Sequence, residues 1–174
     1  MATELQILRG GSWESIPLAE GWQITIPTSK VDVAPSATVE TTTREAVSAG
    51  DGLRIEIDGT VRFRGEAESG GRKADNNPKE LTIQHRAVAV FADSVTFTET
   101  SPTDEDVLNA ALANSSRGSS FTLSYSGTAT SLGNDYDADD RGVRQVFRDM
   151  MDRTSRVWWV DPVDDVIHVE PEGS

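Results

Sequence analysis

The chain has 174 residues, of which 16 are basic and 29 acidic, for a net charge of −13, and it contains no cysteine. The charge disfavours nucleic-acid backbones and anionic membranes as general partners. The lack of cysteine excludes disulfides, thiolate nucleophiles, zinc knuckles and iron–sulfur clusters.

The basic residues are 13 Arg and only 3 Lys, namely Lys30, Lys73 and Lys79. Such a balance suits a protein kept soluble in concentrated salt, where the Debye length shrinks to about 3 Å at 1 M. The composition reads as halophilic; an acidic mesophilic protein short of lysine by chance is the alternative. The length permits one or two domains. The opening MATELQILRGG has no charged n-region or apolar h-region. No run approaches the roughly 18 apolar residues of a membrane span, so neither export nor membrane insertion is expected.

In chain order, Glu4 to Arg9, Trp22 to Pro27, Lys30 to Val33 and Thr38 to Thr43 read as short strands broken by Gly10-Gly11, Pro17, Pro27 and Pro35. Leu53 to Asp58 alternates apolar and charged residues, as a half-buried strand does. Asp58-Gly59 then signals a type I′ hairpin turn, because Gly supplies positive φ without steric cost. The return strand is Thr60 to Glu66, with Val61 and Phe63 expected inward. Ser69 to Pro78 reads as a polar loop, Leu81 to Arg86 as a strand, and Val88 to Phe91 and Val95 to Thr98 as one or two more. Short strands at this spacing predict a small barrel or sandwich.

After Pro102 the pattern changes to helical. Thr103 can cap a helix whose first turn holds Asp104, Glu105 and Asp106 and whose buried stripe is Val107, Leu108, Ala111 and Leu112. Asn114 to Ser120 breaks it, and Phe121, Leu123 and Tyr125 alternate as a strand. A second helix is expected from Asp139 or Asp140, with Val143, Val146, Phe147, Met150 and Met151 on one face and Arg148, Arg153 and Arg156 toward its end. A hairpin closes the chain: Arg156 to Val160, a turn over Asp161 to Asp165, then Val166 to Glu170. The fold class expected is α+β, mainly β: a small antiparallel β-barrel over 1–100, then a smaller α+β part over 101–174 with two helices and a C-terminal hairpin.

Little here suggests catalysis. His85 and His168, both beside apolar neighbours on strands, read as structural, and no GxSxG, HExxH, P-loop or GxGxxG pattern occurs. Asp135, Asp137 and Asp139 match the first three ligand positions of a calcium loop. The match then fails, since Asp140 stands where the turn needs Gly and Val146 where a bidentate Glu should close the shell. The run reads as a solvated acidic loop ending in a helix N-cap. Neither catalytic nor metal residues, nor a cofactor, are expected. Of Trp13, Trp22, Trp158 and Trp159, the adjacent pair must point to opposite strand faces, so one ring meets solvent, another domain or another subunit. Arg62 and Arg64, opposite Glu56 and Arg54, either pair across strands or line an interface.

The run Ala49 to Ala67 resembles the barrel hairpin of baseplate hub proteins of tailed viruses, also called late control protein D or tail hub proteins: Gly before an alternating strand, Asp58-Gly59, then Phe63 followed by Gly65. Leu81 to Phe91 resembles that family's next strand entering a helix or turn. Thr103 to Ala113 resembles its short helix, and Asp140 to Thr154 with Arg156 to Glu170 its helix-then-hairpin unit. The resemblance implies a virion structural protein of the tail tip or baseplate, not an enzyme. It implies a homo-oligomeric ring, trimer or hexamer, contacting other tail proteins such as tube, tape measure or spike, without specific nucleic-acid binding. Hubs carry two related barrels and this sequence shows one, so a reduced hub, part of a split hub or a single-barrel ring protein are all open. Together with the composition, the resemblance points to a virus of a halophilic archaeon. The competing reading is a β-rich surface module binding carbohydrate or a receptor, with calcium at Asp135 to Asp140.

Overall fold

The computed structural model describes residues 2–18, 35–41, 47–68 and 79–173. The strands expected at Trp22 to Pro27 and Lys30 to Val33, the end of the one at Thr38 to Thr43, the loop Ser69 to Pro78 and Trp22 itself lie outside the described residues. The chain forms two compact units. The first holds the described parts of 2–18 and Pro35–Arg86 with Pro162–Asp164; the second holds Ala87–Asp161 and 165–173. The division falls between Arg86 and Ala87, where the expectation had grouped 1–100. Ala87, Val90, Phe91 and Val95 pack in the second unit's core.

The first unit is one six-stranded sheet. Its strands are β1 (Thr3–Arg9), β2 (Ser12–Ile16), β3 (Ser36–Thr41), β4 (Gly52–Ile57), β5 (Thr60–Ala67) and β6 (Lys79–Gln84), in the order β2-β1-β4-β5-β6-β3. Every pairing is antiparallel. Period-two alternation sends Leu5, Ile7, Val39, Leu53, Ile55, Phe63, Leu81 and Ile83 to one face, each at most 1% exposed. The β4–β5 turn has the expected positive φ at both Asp58 (49°) and Gly59 (75°). Val61 departs from expectation. A bulge between Ile55 and Glu56 places it opposite Glu56, half-buried, so only Phe63 of the pair reaches the core. Among the described residues no pairing joins β2 to β3, so the sheet is open and the closed barrel is not formed by these strands.

The second unit is α+β. It comprises α1 (Ala87–Ala92), β7 (Ser94–Glu99), α2 (Asp104–Asn114), β8 (Thr122–Tyr125), β9 (Tyr136–Gly142), α3 (Val143–Thr154), β10 (Arg156–Val160) and β11 (Val166–Pro171). Thr103 caps α2 as anticipated, in a reciprocal box with Asp106. The stripe Val143, Val146, Phe147, Met150 and Met151 is buried on α3. The closing hairpin pairs Trp158 with Val169 and Trp159 with His168, and β8 adds to it in parallel, on β11.

Two expectations change. Val88 to Phe91 is helical, not a strand, because a six-residue turn of helix lets Ala87, Val90 and Phe91 reach one core together. The acidic run is neither loop nor helix start. Tyr136–Gly142 pairs antiparallel with β7, with Tyr136 and Ala138 buried and Asp137 and Asp139 outward. Helix α3 therefore begins only at Val143, whose N–H donates to the Asp93 carbonyl at 2.9 Å in place of a side-chain cap.

An aromatic cluster centres this core. Phe91 lies 4.5 Å from Trp158 and 5.3 Å, edge on, from Phe147, and Phe147 lies 5.5 Å from Trp158. It joins α1, α3 and β10, with pair energies of about 0.5–1.5 kcal/mol beyond area burial.

Gly65 tests the first unit's packing. A Cβ there would fall within the van der Waals envelope of the Gln84 carbonyl oxygen and against Ile83. Gly65→Ala is expected to lower stability by about 1–3 kcal/mol, the usual range for overpacking, read as a lowered urea midpoint.

Candidate functional site

Among the described residues, the most buried aspartate and arginine are in the second unit. Arg156, the first residue of β10, places Nε 3.1 Å from Asp104 Oδ2, with side-chain exposures of 5% and 0%. Asp104 lies on the first turn of α2, where its Oδ1 accepts from the N–H groups of Thr130 (2.8 Å) and Glu105 (3.0 Å). Tyr125 donates its hydroxyl to Oδ2 at 2.5 Å, and the Arg156 guanidinium lies 4.3 Å over the Tyr125 ring. Burial, then the bond to Asp104, pushes the Tyr125 phenol well above its ordinary range, so it stays a protonated donor. Arg156 also donates to the carbonyls of Ser126 (2.7 Å) and Thr128 (2.6 Å). With Thr130 held by Asp104 and Leu132 N–H on the Pro102 carbonyl, the segment after β8 is gripped at every second residue.

A second feature occupies the outer face of the first sheet. Trp13 on β2 lies under two guanidinium groups, Arg54 at 4.6 Å and Arg64 at 5.9 Å from the ring centre. Arg54 and Arg64 are direct cross-strand partners, and Leu8, an exposed large hydrophobic at 44%, is the partner of Trp13. Arg54 donates to Gln6 Oε1 at 2.6 Å and pairs with Glu56 of its own strand at 3.6 Å. The arginines thus do not form the cross-strand ion pairs that were one expectation.

The other sites anticipated from sequence fall as follows. Asp135 accepts from the Ser101 N–H at 3.0 Å and Asp137 from Thr98 Oγ1 at 2.7 Å, so extended strand pairing replaces the calcium-loop geometry. Among the described residues no group of three metal-ligating side chains converges. His85 is buried just past β6 in the first unit; His168, in the second, stacks on Trp159 at 4.9 Å and 11°. Trp158 is the buried member of the tryptophan pair and Trp159 faces outward. Among the described residues no helix is long and apolar enough to cross a membrane. The Asp104–Arg156 pair was not visible in the sequence, since no local pattern links a helix first turn to a distant strand. Trp13 carried a faint signal as an aromatic on a strand whose alternation leaves it off the core.

Solved structures share this fold. The 43 kDa tail protein of prophage MuSo2 from Shewanella oneidensis matches with a TM-score of 0.75 at 9% identity, covering 100% of this chain and 57% of that one. The fold is that of phage tail proteins. The tail protein from Neisseria meningitidis MC58 matches at TM-score 0.72 and 17% identity, over 97% of this chain and 50% of that one. The E. coli c3393 protein is described as a component of the type VI secretion system with structural similarity to T4 tail proteins gp27 and gp5. It matches at 0.62 and 10% identity, over 95% of this chain and 48% of that one. The chain spans about half the length of the tail proteins it matches. No family model matches the sequence, and no curated protein does.

Removing one partner of the buried pair strands the other charge. Arg156→Met is expected to cost about 3–5 kcal/mol in urea unfolding, and the double variant with Asp104→Asn less than the sum of the singles. A second expectation concerns acid. Ser116 and Ser115 donate to Asp93 Oδ2 (2.6 Å and 2.8 Å from their hydroxyls), holding its carboxyl below the ordinary 3.8. Because the folded value is depressed, this stabilisation is complete above the unfolded value and is lost as pH falls through the folded one. Between about pH 5 and about pH 2 the wild type should lose more stability than Asp93→Asn, measured by urea midpoints.

Proposed function

We propose that this protein is a structural component of a virion tail, at the tail tip or baseplate, acting by assembly rather than catalysis. The observation that carries the reading is the correspondence of nearly the whole chain to phage tail proteins in both of its units. In this reading the first unit's sheet closes into a hub-like barrel, and copies of it form a trimeric or hexameric ring that continues the tail tube. The helical unit docks neighbouring tail proteins such as tube, tape measure or spike. The net charge of −13 fits a channel that DNA traverses without adhering, since acidic walls repel its phosphates. With 13 Arg against 3 Lys, the reading extends to a virus of a halophilic archaeon.

Electron microscopy of the purified chain in molar KCl tests this. Rings with a central hole are the expected result. A strictly monomeric protein at high concentration, with no affinity for tail components, overturns it.

A further inference from the structure

Among the described residues, two sets of charges of opposite sign have no ion-pair partner: Arg62 and Arg64 in the first unit, and Asp137, Asp139 and Asp140 in the second. On the outer face of the first unit, Arg54 and Arg64 stand directly opposite each other, a like-charge arrangement that destabilises a sheet unless something offsets it. Glu56 offsets Arg54, and Trp13 presents its ring to both. Arg62 and Arg64 are exposed on either side of the inward Phe63, and among the described residues neither has a carboxylate partner. Beside them the exposed Leu8 and the half-buried Trp13 form an apolar strip. Arginine next to an accessible tryptophan is the composition of an interface anchor, not of a solvated surface.

In the second unit, the ribbon of β7 and β9 has the complementary character. Asp137, Asp139 and Asp140 are exposed, and among the described residues no basic side chain pairs with them. Their strand neighbours on β7, Thr96 and Thr98, are small and polar; they hold the ribbon by accepting from the Asp140 N–H at 3.1 Å and donating to Asp137 Oδ1 at 2.7 Å. The carboxylates are thus presented on a firm backbone.

We infer that the Leu8–Trp13–Arg54–Arg64 face receives the acidic β7–β9 ribbon of a second copy of this chain. The inference rests on the assembly reading above and names its interface. Two copies of a molecule with charge −13 repel on average. The outer face also carries Glu4, Glu56 and Glu66, so it is Arg62 and Arg64, free of ion pairs among the described residues and beside Trp13, that select the one orientation in which the copies attract. Because the two patches differ, the contact is heterologous, and repeating it closes a ring or extends a filament. In concentrated salt, long-range steering is screened, and burial of Trp13 and Leu8 with direct Arg–Asp contacts sustains the association.

A charge swap tests it, with sedimentation velocity as the readout and circular dichroism to verify folding. Arg62→Glu/Arg64→Glu and Asp137→Arg/Asp139→Arg should each self-associate about tenfold or more weakly than the wild type. Mixed in equal amounts, the two should associate with each other again, because each junction between unlike variants joins opposite charges. If both folded variants assemble like the wild type, or the mixture stays monomeric, this interface is wrong while the assembly reading stands. If the wild type itself is monomeric, the assembly reading falls and this interface with it.

Discussion

A guanidinium keeps its charge wherever it is placed, so burying one at the start of a β-strand requires a carboxylate and several carbonyls to replace its lost water, and Arg156 has both. Asp104 lies 3.1 Å away and the Ser126 and Thr128 carbonyls accept from its two terminal nitrogens. Removing two such ions from water costs several kcal/mol each, so the arrangement is not there for stability alone. Its effect is positional. It ties the first turn of α2, the start of β10 and the segment following β8 to one point, and that segment has little regular structure of its own. The positive end of the α2 dipole assists by favouring the Asp104 carboxylate, and Tyr125 completes the shell as a donor held protonated.

Around that point the second unit is assembled by packing. The Phe91–Phe147–Trp158 cluster draws three elements together, and Asp93 links two more, its carboxylate at the end of α2 and its carbonyl at the start of α3. The first unit follows a different rule. It has one apolar sheet face and one polar face, and its outer arginines are not used to stabilise the sheet through cross-strand ion pairs.

Much of this was legible in the sequence because it depends on neighbours a few residues apart. The N-cap at Thr103, the stripe from Val143 to Met151, the Asp58-Gly59 turn and the closing hairpin are all set by local spacing, and the structure places them within a residue or two of expectation. The acidic run shows where local reading misleads. Its aspartates suggested a loop and a helix cap, yet Tyr136 and Ala138 alternate with Asp137 and Asp139, and that period of two was the stronger signal. Aspartate is a poor strand former in general, but pairing with β7 and burial of Tyr136 outweigh the preference.

The sequence by itself thus determined the mainly β character, the position of α2 and the buried stripe of α3, the surplus of acid and the lack of any cysteine chemistry. These follow from composition and short-range periodicity. Only the tertiary structure decided that Val88 to Phe91 is a helix turn, that β8 joins β11 in parallel, that Arg156 belongs to Asp104, and that Trp13 lies beneath Arg54 and Arg64. Each of these is a contact between residues far apart in the chain. Their energies depend on distances that no local pattern encodes, and they exist only once the backbone has closed around them.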